Sequence, residues 1–214
     1  MTVQRSWLLP LKIFTVAAIL LGLVLGATLR GASNDPTRAP ARPVIAPAVA
    51  PPPLNLPAPV AVSVPQAAVA KWIGTKYRVA PEAIAPLVAE ADKLAAAYRL
   101  SPQLLMAVMA IESNFHPYIQ SDAGAQGLMQ VMPLIHAKRY DKFGGKGSFV
   151  DPIVSLKVGA EILRDCIKLR GGSETEALRF YFGGSPASDG YIDKVRAEQR
   201  RLVLASAGAH PPID

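Results

Sequence analysis

One carboxyl group, that of Glu112, stands where the sequence is otherwise apolar. It follows six uncharged residues, 106–111, and continues a helical pattern that includes Leu104 and Val108. Because Glu112 lies one turn from Val108, its side chain projects beside the buried face of that helix. Partial burial disfavours the charged form of a carboxyl, so the position favours a raised pKa and a general acid. A glutamate at a helix end that bonds loop amides fits the position equally well.

Helix start and stop signals surround this carboxyl and predict an all-α domain over residues 66–214. The clearest start signals are Ser101-Pro102, Asp151-Pro152 and the capping box Ser173-Glu174-Thr175-Glu176. The second helix is predicted to run to Leu169, before Gly171-Gly172, and the third to about Phe182. Cys166 falls on the apolar stripe of the second helix, which favours a core position. No sustained alternation indicates a sheet, so we expect six to eight helices with irregular loops at 118–130 and 143–149.

The first 65 residues divide into two segments that cannot build a core. Residues 13–29 are uncharged and lie between Lys12 and Arg30. A helix of that length spans about 25 Å, against roughly 30 Å for a bilayer core. Residues 1–30 are therefore predicted to be a signal peptide or a transmembrane anchor, and poor cleavage sites favour the uncleaved anchor. Residues 31–65 hold ten of the twenty prolines and predict a disordered Pro/Ala-rich linker.

Charge and cysteine content exclude several kinds of site. The chain has Lys+Arg 23 against Asp+Glu 16, a formal net charge of +7, yet residues 66–214 contribute only +3 of it (18 Lys+Arg, 15 Asp+Glu). No basic run is interleaved with aromatic residues, so no nucleic-acid partner is expected. The single cysteine excludes a Cys-rich metal site, and the three histidines lack ligand spacing. We expect neither a metal nor another cofactor.

The residues that follow Glu112 carry a denser pattern. Fixed positions over about 22 residues are Glu112-Ser113-Asn114-Phe115-His116-Pro117, Ser121, Gly124-Ala125 and Gly127-Leu128-Met129-Gln130-Val131-Met132-Pro133. Together they resemble the signature of the SLT-type lytic transglycosylases, lysozyme-like enzymes that cleave peptidoglycan. Looser matches follow at Gly159, Ala177-Leu178, Tyr181, Gly184, Tyr191 and Lys194-Val195. The resemblance covers roughly residues 96–200.

The resemblance implies a lysozyme-like helical fold and a role for each matching position. Glu112 would be the catalytic acid/base. The residues that would bind substrate are Ser113, beside Glu112, Ser121, Met129 and Gln130, which would line the sugar groove, and Tyr181, which would hydrogen-bond near the carboxyl. Gly124 and Gly127 permit the tight backbone path that would bring Met129-Gln130 opposite Glu112.

Four positions depart from the family pattern. Phe182 stands where the family usually has asparagine, Ser155-Leu156 replaces a frequent Asn-Ile pair, and Ile162 replaces a frequent tyrosine. A side-chain amide that could bond a sugar or a loop is therefore missing at position 182. The substrate contacts around Phe182 are not carried over from the family, whereas the role of Glu112 is.

The number of carboxyls bears on the reaction. Ordinary glycosidases need two, roughly 5 Å or 6.5 to 9.5 Å apart. Asp122 is the one candidate partner, in a loop position typical of a turn former. A single carboxyl suffices in the family's mechanism, in which Glu112 would protonate the glycosidic oxygen between N-acetylmuramic acid and N-acetylglucosamine. It would then take a proton from the C6 hydroxyl, which gives a 1,6-anhydro product.

We therefore expect a lytic transglycosylase that remodels peptidoglycan at the periplasmic face of the bacterial inner membrane. Residues 1–30 would hold it in the membrane, or it would be free in the periplasm if they are cleaved. Its expected partners are peptidoglycan glycan strands and the membrane. Three alternatives stay open: a lysozyme-type muramidase with water held by Asp122, a non-catalytic wall-binding module, and an accessory of a secretion or pilus apparatus.

Overall fold

Seven α-helices make up the part of the chain that the computed structural model describes, residues 61–213. They are α1 (Val64–Tyr77), α2 (Pro81–Tyr98), α3 (Pro102–Ser113), α4 (Pro133–Tyr140), α5 (Pro152–Leu169), α6 (Glu174–Tyr181) and α7 (Ser188–Ser206). Two short 3₁₀ turns, Asp141–Phe143 and Gly145–Ser148, lie between α4 and α5. Within residues 61–213 the only β pairing is a pair of isolated bridges at Gln126. The predicted all-α class is confirmed.

The three helices whose starts the sequence predicts, α3, α5 and α6, begin at those positions. Proline occupies the first or second position of five of them, where its missing N–H has no helical partner to lose. The side chains of Ser101, Asp151 and Ser173 each accept a hydrogen bond from a backbone N–H three residues later. Helix α5 has the predicted bounds, and α6 ends one residue earlier than predicted. The second predicted loop contains one of the 3₁₀ turns.

Helix α3 lies at the centre of the core. Its residues 104–110 are all between 0% and 2% exposed, so every face of the helix is covered. Helices α7, α2 and α5 pack around it. The sequence indicated only one apolar stripe, but a helix that is hydrophobic all round is typical of a buried element. The last turn of this buried helix carries Glu112.

The N-terminal boundary differs from the prediction. Helix α1 begins at Val64 and is capped by Ser63, so the predicted linker, residues 31–65, extends two residues too far. The predicted anchor, residues 1–30, and most of the linker lie outside the described residues. Among the helices of residues 61–213, none has both the length and the apolar character needed to cross a membrane. Cys166 is only 6% exposed, which confirms its predicted core position.

Candidate active site

The carboxyl of Glu112 sits just before the point where the central helix stops. Ser113 is the last residue of α3, and Asn114 follows with a left-handed backbone (φ 49°) whose N–H donates to the carbonyl of Ala110 (3.0 Å). Phe115 also has a positive φ, 62°, which is uncommon for a bulky residue. Its buried ring packs edge-on against Tyr77 of α1, with ring centroids 5.1 Å apart. This contact holds the chain reversal that leaves Glu112 at the edge of the core.

The environment of Glu112 favours its protonated form. Burial raises the pKa of its carboxyl from 4.5 to about 7, and a hydrogen bond from Tyr191 opposes part of that rise. The Tyr191 hydroxyl donates to Oε1 at 2.8 Å. Within residues 61–213, no loop amide donates to Glu112 and no cation pairs with it. The geometry therefore matches the interpretation of Glu112 as a proton-holding carboxyl, and not that of a helix-end glutamate bonded to loop amides.

Tyr191 is the tyrosine that bonds this carboxyl, whereas the resemblance implied a hydrogen bond near the carboxyl for Tyr181 and no site role for Tyr191. Tyr191 lies in the first turn of α7 and is only 5% exposed. Its burial, together with the neighbouring Glu112, raises the pKa of its phenol, so it stays neutral and can donate. Because a tyrosine carries one hydroxyl proton, its bond to Oε1 leaves Oε2 as the oxygen that can carry the carboxyl proton.

Tyr181 fixes the loop that contains Met129. Its hydroxyl donates to the backbone carbonyl of Met129 at 2.7 Å. Burial first, and then the charge of Glu112, raise the pKa of Tyr181 well above its ordinary value. The hydroxyl of Tyr181 therefore donates to the loop backbone, and the hydroxyl of Tyr191 donates to the carboxyl of Glu112.

Helix α5 packs against the same loop through Ser155 and Gly159. The Met129 N–H donates to the hydroxyl of buried Ser155 at 3.3 Å. One turn later, Gly159 leaves the space in which the Met129 side chain lies, since a Cβ at Gly159 would come within 2.5 Å of Met129 Cβ. Gly127 has φ 75°, and a Cβ there would come within 2.7 Å of Ser155 Oγ. Ser155, which departs from the family pattern, thus supplies a hydroxyl that holds the loop.

The predicted substrate-binding side chains divide into buried and accessible ones. Ser113 is 2% exposed and its hydroxyl donates to the carbonyl of Met109 (2.9 Å), while Met129 is 0% exposed. These two side chains face the core, where they help to hold the helix end and the loop, and their contact with sugar stays a prediction. Ser121 and Gln130 remain partly exposed.

The accessible pair also holds the loop together. The Ser121 hydroxyl accepts from the N–H of Ala125 at 3.0 Å. The Gln130 amide donates to the carbonyls of Gly127 (3.0 Å) and Ile119 (3.2 Å), and Gln130 itself has a positive φ of 44°. Both side chains keep exposed surface beside these bonds.

Phe182 lies against the tyrosine that bonds Glu112. Its ring stacks on that of Tyr191, with centroids 4.5 Å apart and an interplanar angle of 19°. It is 41% exposed. Nothing in the local sequence signalled this contact, because Phe182 follows the end of α6 whereas Tyr191 lies in α7.

The other polar groups that the sequence singled out do not join this site. Asp122 is exposed at the turn of the loop, and no hydrogen bond or ion pair within the described residues connects it to Glu112. Among residues 61–213, no group of three or more His, Cys, Asp or Glu side chains is arranged to hold a metal ion.

Glu112, the loop that faces it, Tyr181 and Tyr191 all fall within one family match. The family model described as the transglycosylase SLT domain matches residues 90–203, more than half of the chain. The chain belongs to the SLT transglycosylase family. The resemblance seen in the sequence is thereby confirmed.

Individual relatives match part of the chain. A transglycosylase of Enterobacteria phage PRD1 is 34% identical over 95 residues, which are 44% of this chain and 34% of the phage protein. Membrane-bound lytic murein transglycosylase C of Actinobacillus pleuropneumoniae is 38% identical over 77 residues, 36% of this chain and 20% of that protein. The chain thus matches about a third or less of the length of these curated relatives.

A solved structure also aligns with part of the chain. It is an inactive variant of the lytic transglycosylase Slt from Pseudomonas aeruginosa, 22% identical, with a TM-score of 0.42. The alignment covers 58% of this chain and 25% of that one.

Proposed function

We propose that this protein is a peptidoglycan lytic transglycosylase in which Glu112 acts first as the general acid and then as the general base. The observation that carries the proposal is the state of Glu112: a carboxyl with a pKa of about 7, bonded by a neutral tyrosine and, among the described residues, by no cation. A general acid must hold its proton near neutral pH and release it to a leaving group, and this environment supports both.

The first step is protonation of the leaving group. Glu112 Oε2 gives its proton to the glycosidic oxygen between N-acetylmuramic acid and N-acetylglucosamine, and the bond from that oxygen to C1 breaks. The neighbouring N-acetyl group of the muramyl residue stabilises the positive charge that develops at C1. Tyr191 continues to donate to Oε1, which stabilises the carboxylate that forms.

The second step closes the ring and restores the enzyme. The C6 hydroxyl of the muramyl residue attacks C1, and the Glu112 carboxylate takes its proton. The product is a 1,6-anhydro sugar, and no water is consumed. Only one carboxyl is required for these two steps. The pKa of Glu112 agrees with this, because burial and Tyr191 account for it without a second carboxyl nearby.

The accessible loop side chains are proposed to meet the glycan strand. Ser121 and Gln130 each keep exposed surface while their other polar atoms hold the loop. We place the Ser121 and Gln130 side chains at the sugar groove. The bond from Tyr181 to the carbonyl of Met129 holds the loop that carries them. No cofactor is needed for either step.

We further propose a location at the periplasmic face of the inner membrane, where peptidoglycan is accessible. The apolar residues 13–29 and the Pro-rich residues 31–60 support a tethered domain. The related protein from Actinobacillus pleuropneumoniae carries the words membrane-bound in its name. Fractionation of cells that make the full chain, or a chain lacking residues 2–30, tests this: only the full chain should sediment with membranes.

Digestion of purified sacculi tests the activity. The full chain, Glu112→Gln and the matched control Asp122→Asn are compared, and the released muropeptides are analysed by mass spectrometry. Loss of general acid catalysis should slow Glu112→Gln by about 100-fold or more. Anhydro-muropeptides from the wild type and from Asp122→Asn, but not from Glu112→Gln, are the expected result.

Two other outcomes of the digestion would support a different function. Reducing muropeptides whose release depends on Asp122 would identify a lysozyme-type hydrolase. Binding to sacculi without any soluble product from the wild type would identify a wall-binding module and overturn the enzyme proposal.

A further inference from the structure

The backbone of Phe182 is held by the end of helix α6. Its N–H donates to the carbonyl of Leu178 at 3.0 Å. Gly183 and Gly184 follow with φ of 98° and 70°, and their N–H groups donate to the carbonyls of Phe180 and Arg179 at 3.0 and 2.9 Å. These bonds involve backbone atoms only, so a substitution at position 182 changes the side chain without removing the helix end.

The side chain of Phe182 forms the outer layer of an aromatic stack. It lies nearly parallel to the ring of Tyr191, 4.5 Å away between centroids. Tyr191 is 5% exposed and Phe182 is 41% exposed, so Phe182 covers Tyr191 on the solvent side. Aromatic rings in such an arrangement attract each other beyond the effect of burial alone.

Tyr191 is therefore held at two points. Its hydroxyl donates to Glu112 Oε1, and its ring face rests against Phe182. A tyrosine side chain has two torsions, and rotation about either one swings the hydroxyl away from a fixed acceptor. The stack restricts the rotations that the single hydrogen bond leaves open.

We propose that Phe182 is a positioning residue that acts through Tyr191, holding its ring in the orientation in which the hydroxyl reaches Glu112. Only the kinetic part of this proposal rests on the proposed function, since the Tyr191–Glu112 bond is present without substrate. An asparagine, usual in the family at this position, has no ring with which to stack on Tyr191.

The first experiment needs no substrate. The Glu112 carboxyl carbon is titrated by NMR in the full chain labelled with ¹³C glutamate, and Glu112→Gln assigns the signal. The titratable groups that act on Glu112 are Tyr191 of α7 and Tyr181 of α6, and burial keeps both phenols neutral between pH 5 and 9. Because the Tyr191 bond lowers the pKa of Glu112, weakening that bond raises it.

We expect Phe182→Leu and Phe182→Asn to raise the Glu112 pKa above the wild-type value, in the same direction as Tyr191→Phe. Phe182→Trp keeps a stacking ring and should leave it unchanged. The matched control is Phe180→Leu, since Phe180 is similarly exposed (37%) but its ring contacts Arg170. A lowered pKa in Phe182→Leu would mean that Phe182 only keeps water away, and an unchanged pKa would mean that it does not position Tyr191. Either result overturns the proposal.

The second experiment uses muropeptide release. Phe182→Leu should lower kcat by roughly tenfold, as expected for a displaced catalytic contact, with little change in KM. In a Tyr191→Phe background, which keeps the ring but has no hydroxyl, the same substitution should have almost no further effect. A raised KM with unchanged kcat would make Phe182 a sugar contact and overturn the positioning role. If the wild type releases nothing from sacculi, the proposed function fails, while the NMR titration still decides the role of Phe182.

Discussion

The pKa of Glu112 is determined by two opposing short-range effects. Burial at the end of α3 disfavours the carboxylate, and the Tyr191 hydroxyl favours it, with the pKa settling at about 7. A fully hydrated glutamate would be ionised at neutral pH and could not act as an acid. One with no hydrogen-bond donor would release its proton less readily. The pairing with a neutral tyrosine gives a carboxyl that can exchange its proton near neutral pH.

The activity should depend on pH through this carboxyl. Since the protonated form begins the reaction, kcat/KM should fall about tenfold per pH unit above a midpoint near 7. Initial rates of muropeptide release between pH 5 and 9 measure the profile, and the neutral phenols of Tyr181 and Tyr191 add no limb in that range. A descending limb centred near pH 4.5 would contradict the desolvated state of Glu112.

Stability should respond to the same ionisation. The folded state raises the pKa of Glu112 from 4.5 to about 7, so the protonated carboxyl contributes stability that is complete below pH 4.5 and is lost as pH rises through 7. Glu112→Gln has no such loss. Its free energy of unfolding relative to wild type should therefore rise by roughly 2 to 3 kcal/mol between pH 5 and pH 8.5. Urea unfolding at the two pH values measures this, and an equal difference at both would contradict it.

At the scale of elements, the site depends on how helix α5 receives the loop. The loop that contains Met129 has irregular backbone, and it is fixed by Ser155, by Gly159 and by Tyr181 of α6. Two helices thus determine where the accessible side chains of the loop stand. The family glycine at position 159 has a direct physical reason, because Met129 fills the space above it.

Gly159→Ala should therefore disturb the loop. The added methyl would lie 2.5 Å from Met129 Cβ and Cγ, atoms close to the backbone that cannot swing away. Overpacking of this kind costs about 1 to 3 kcal/mol of unfolding free energy, and activity should fall with the displaced loop. The matched control is Gly190→Ala, also in a helix but with nothing within 4 Å, where better helix propensity should leave stability equal or higher by up to about 1 kcal/mol. Urea unfolding measures the stability of both variants. Equal stabilities of Gly159→Ala and Gly190→Ala would contradict the prediction and show that the Met129 side chain can move away from the added methyl.

At the scale of the whole described region, helix α1 is part of the domain although it precedes the family match. Its Lys76 Nζ lies 2.6 Å from Glu198 Oε2, and its Tyr77 hydroxyl donates to Glu198 Oε1 at 2.7 Å. Glu198 lies on α7, is 2% exposed, and also pairs with Arg201 at 3.2 Å. Because α7 carries Tyr191 as well, α1 braces the helix that delivers the tyrosine to Glu112.

Removal of the Lys76 ammonium group from the buried Glu198 should lower the free energy of unfolding. In Lys76→Met the carboxylate keeps Tyr77 and Arg201 but loses its shortest ion pair, and we expect a loss of about 2 to 3 kcal/mol in unfolding free energy. Lys71→Met is the matched control, because Lys71 is exposed on the same helix. Thermal or urea unfolding compares the two. Similar stabilities would show that α1 is held by apolar packing alone.

Local signals were sufficient to predict the starts of α3, α5 and α6. Ser101, Asp151 and Ser173 each act on a backbone group three residues away, so a single sequence contains all the information that the helix start needs. The unusual placement of Glu112 and the glycine-rich pattern after it were likewise visible in the sequence. The full burial of α3 was not, because its apolar pattern does not say how many neighbours surround it.

The sequence by itself indicated the helical class, the starts of α3, α5 and α6, the family, and Glu112 as the candidate acid/base. Only the tertiary structure decided which tyrosine bonds that carboxyl, since Tyr191 and Glu112 are 79 residues apart and meet through the packing of α7 on α3. It also turned Ser113 and Met129 towards the core and set Phe182 against Tyr191. A residue pattern specifies which groups are present, whereas the direction of a side chain depends on neighbours that the fold brings from elsewhere in the chain.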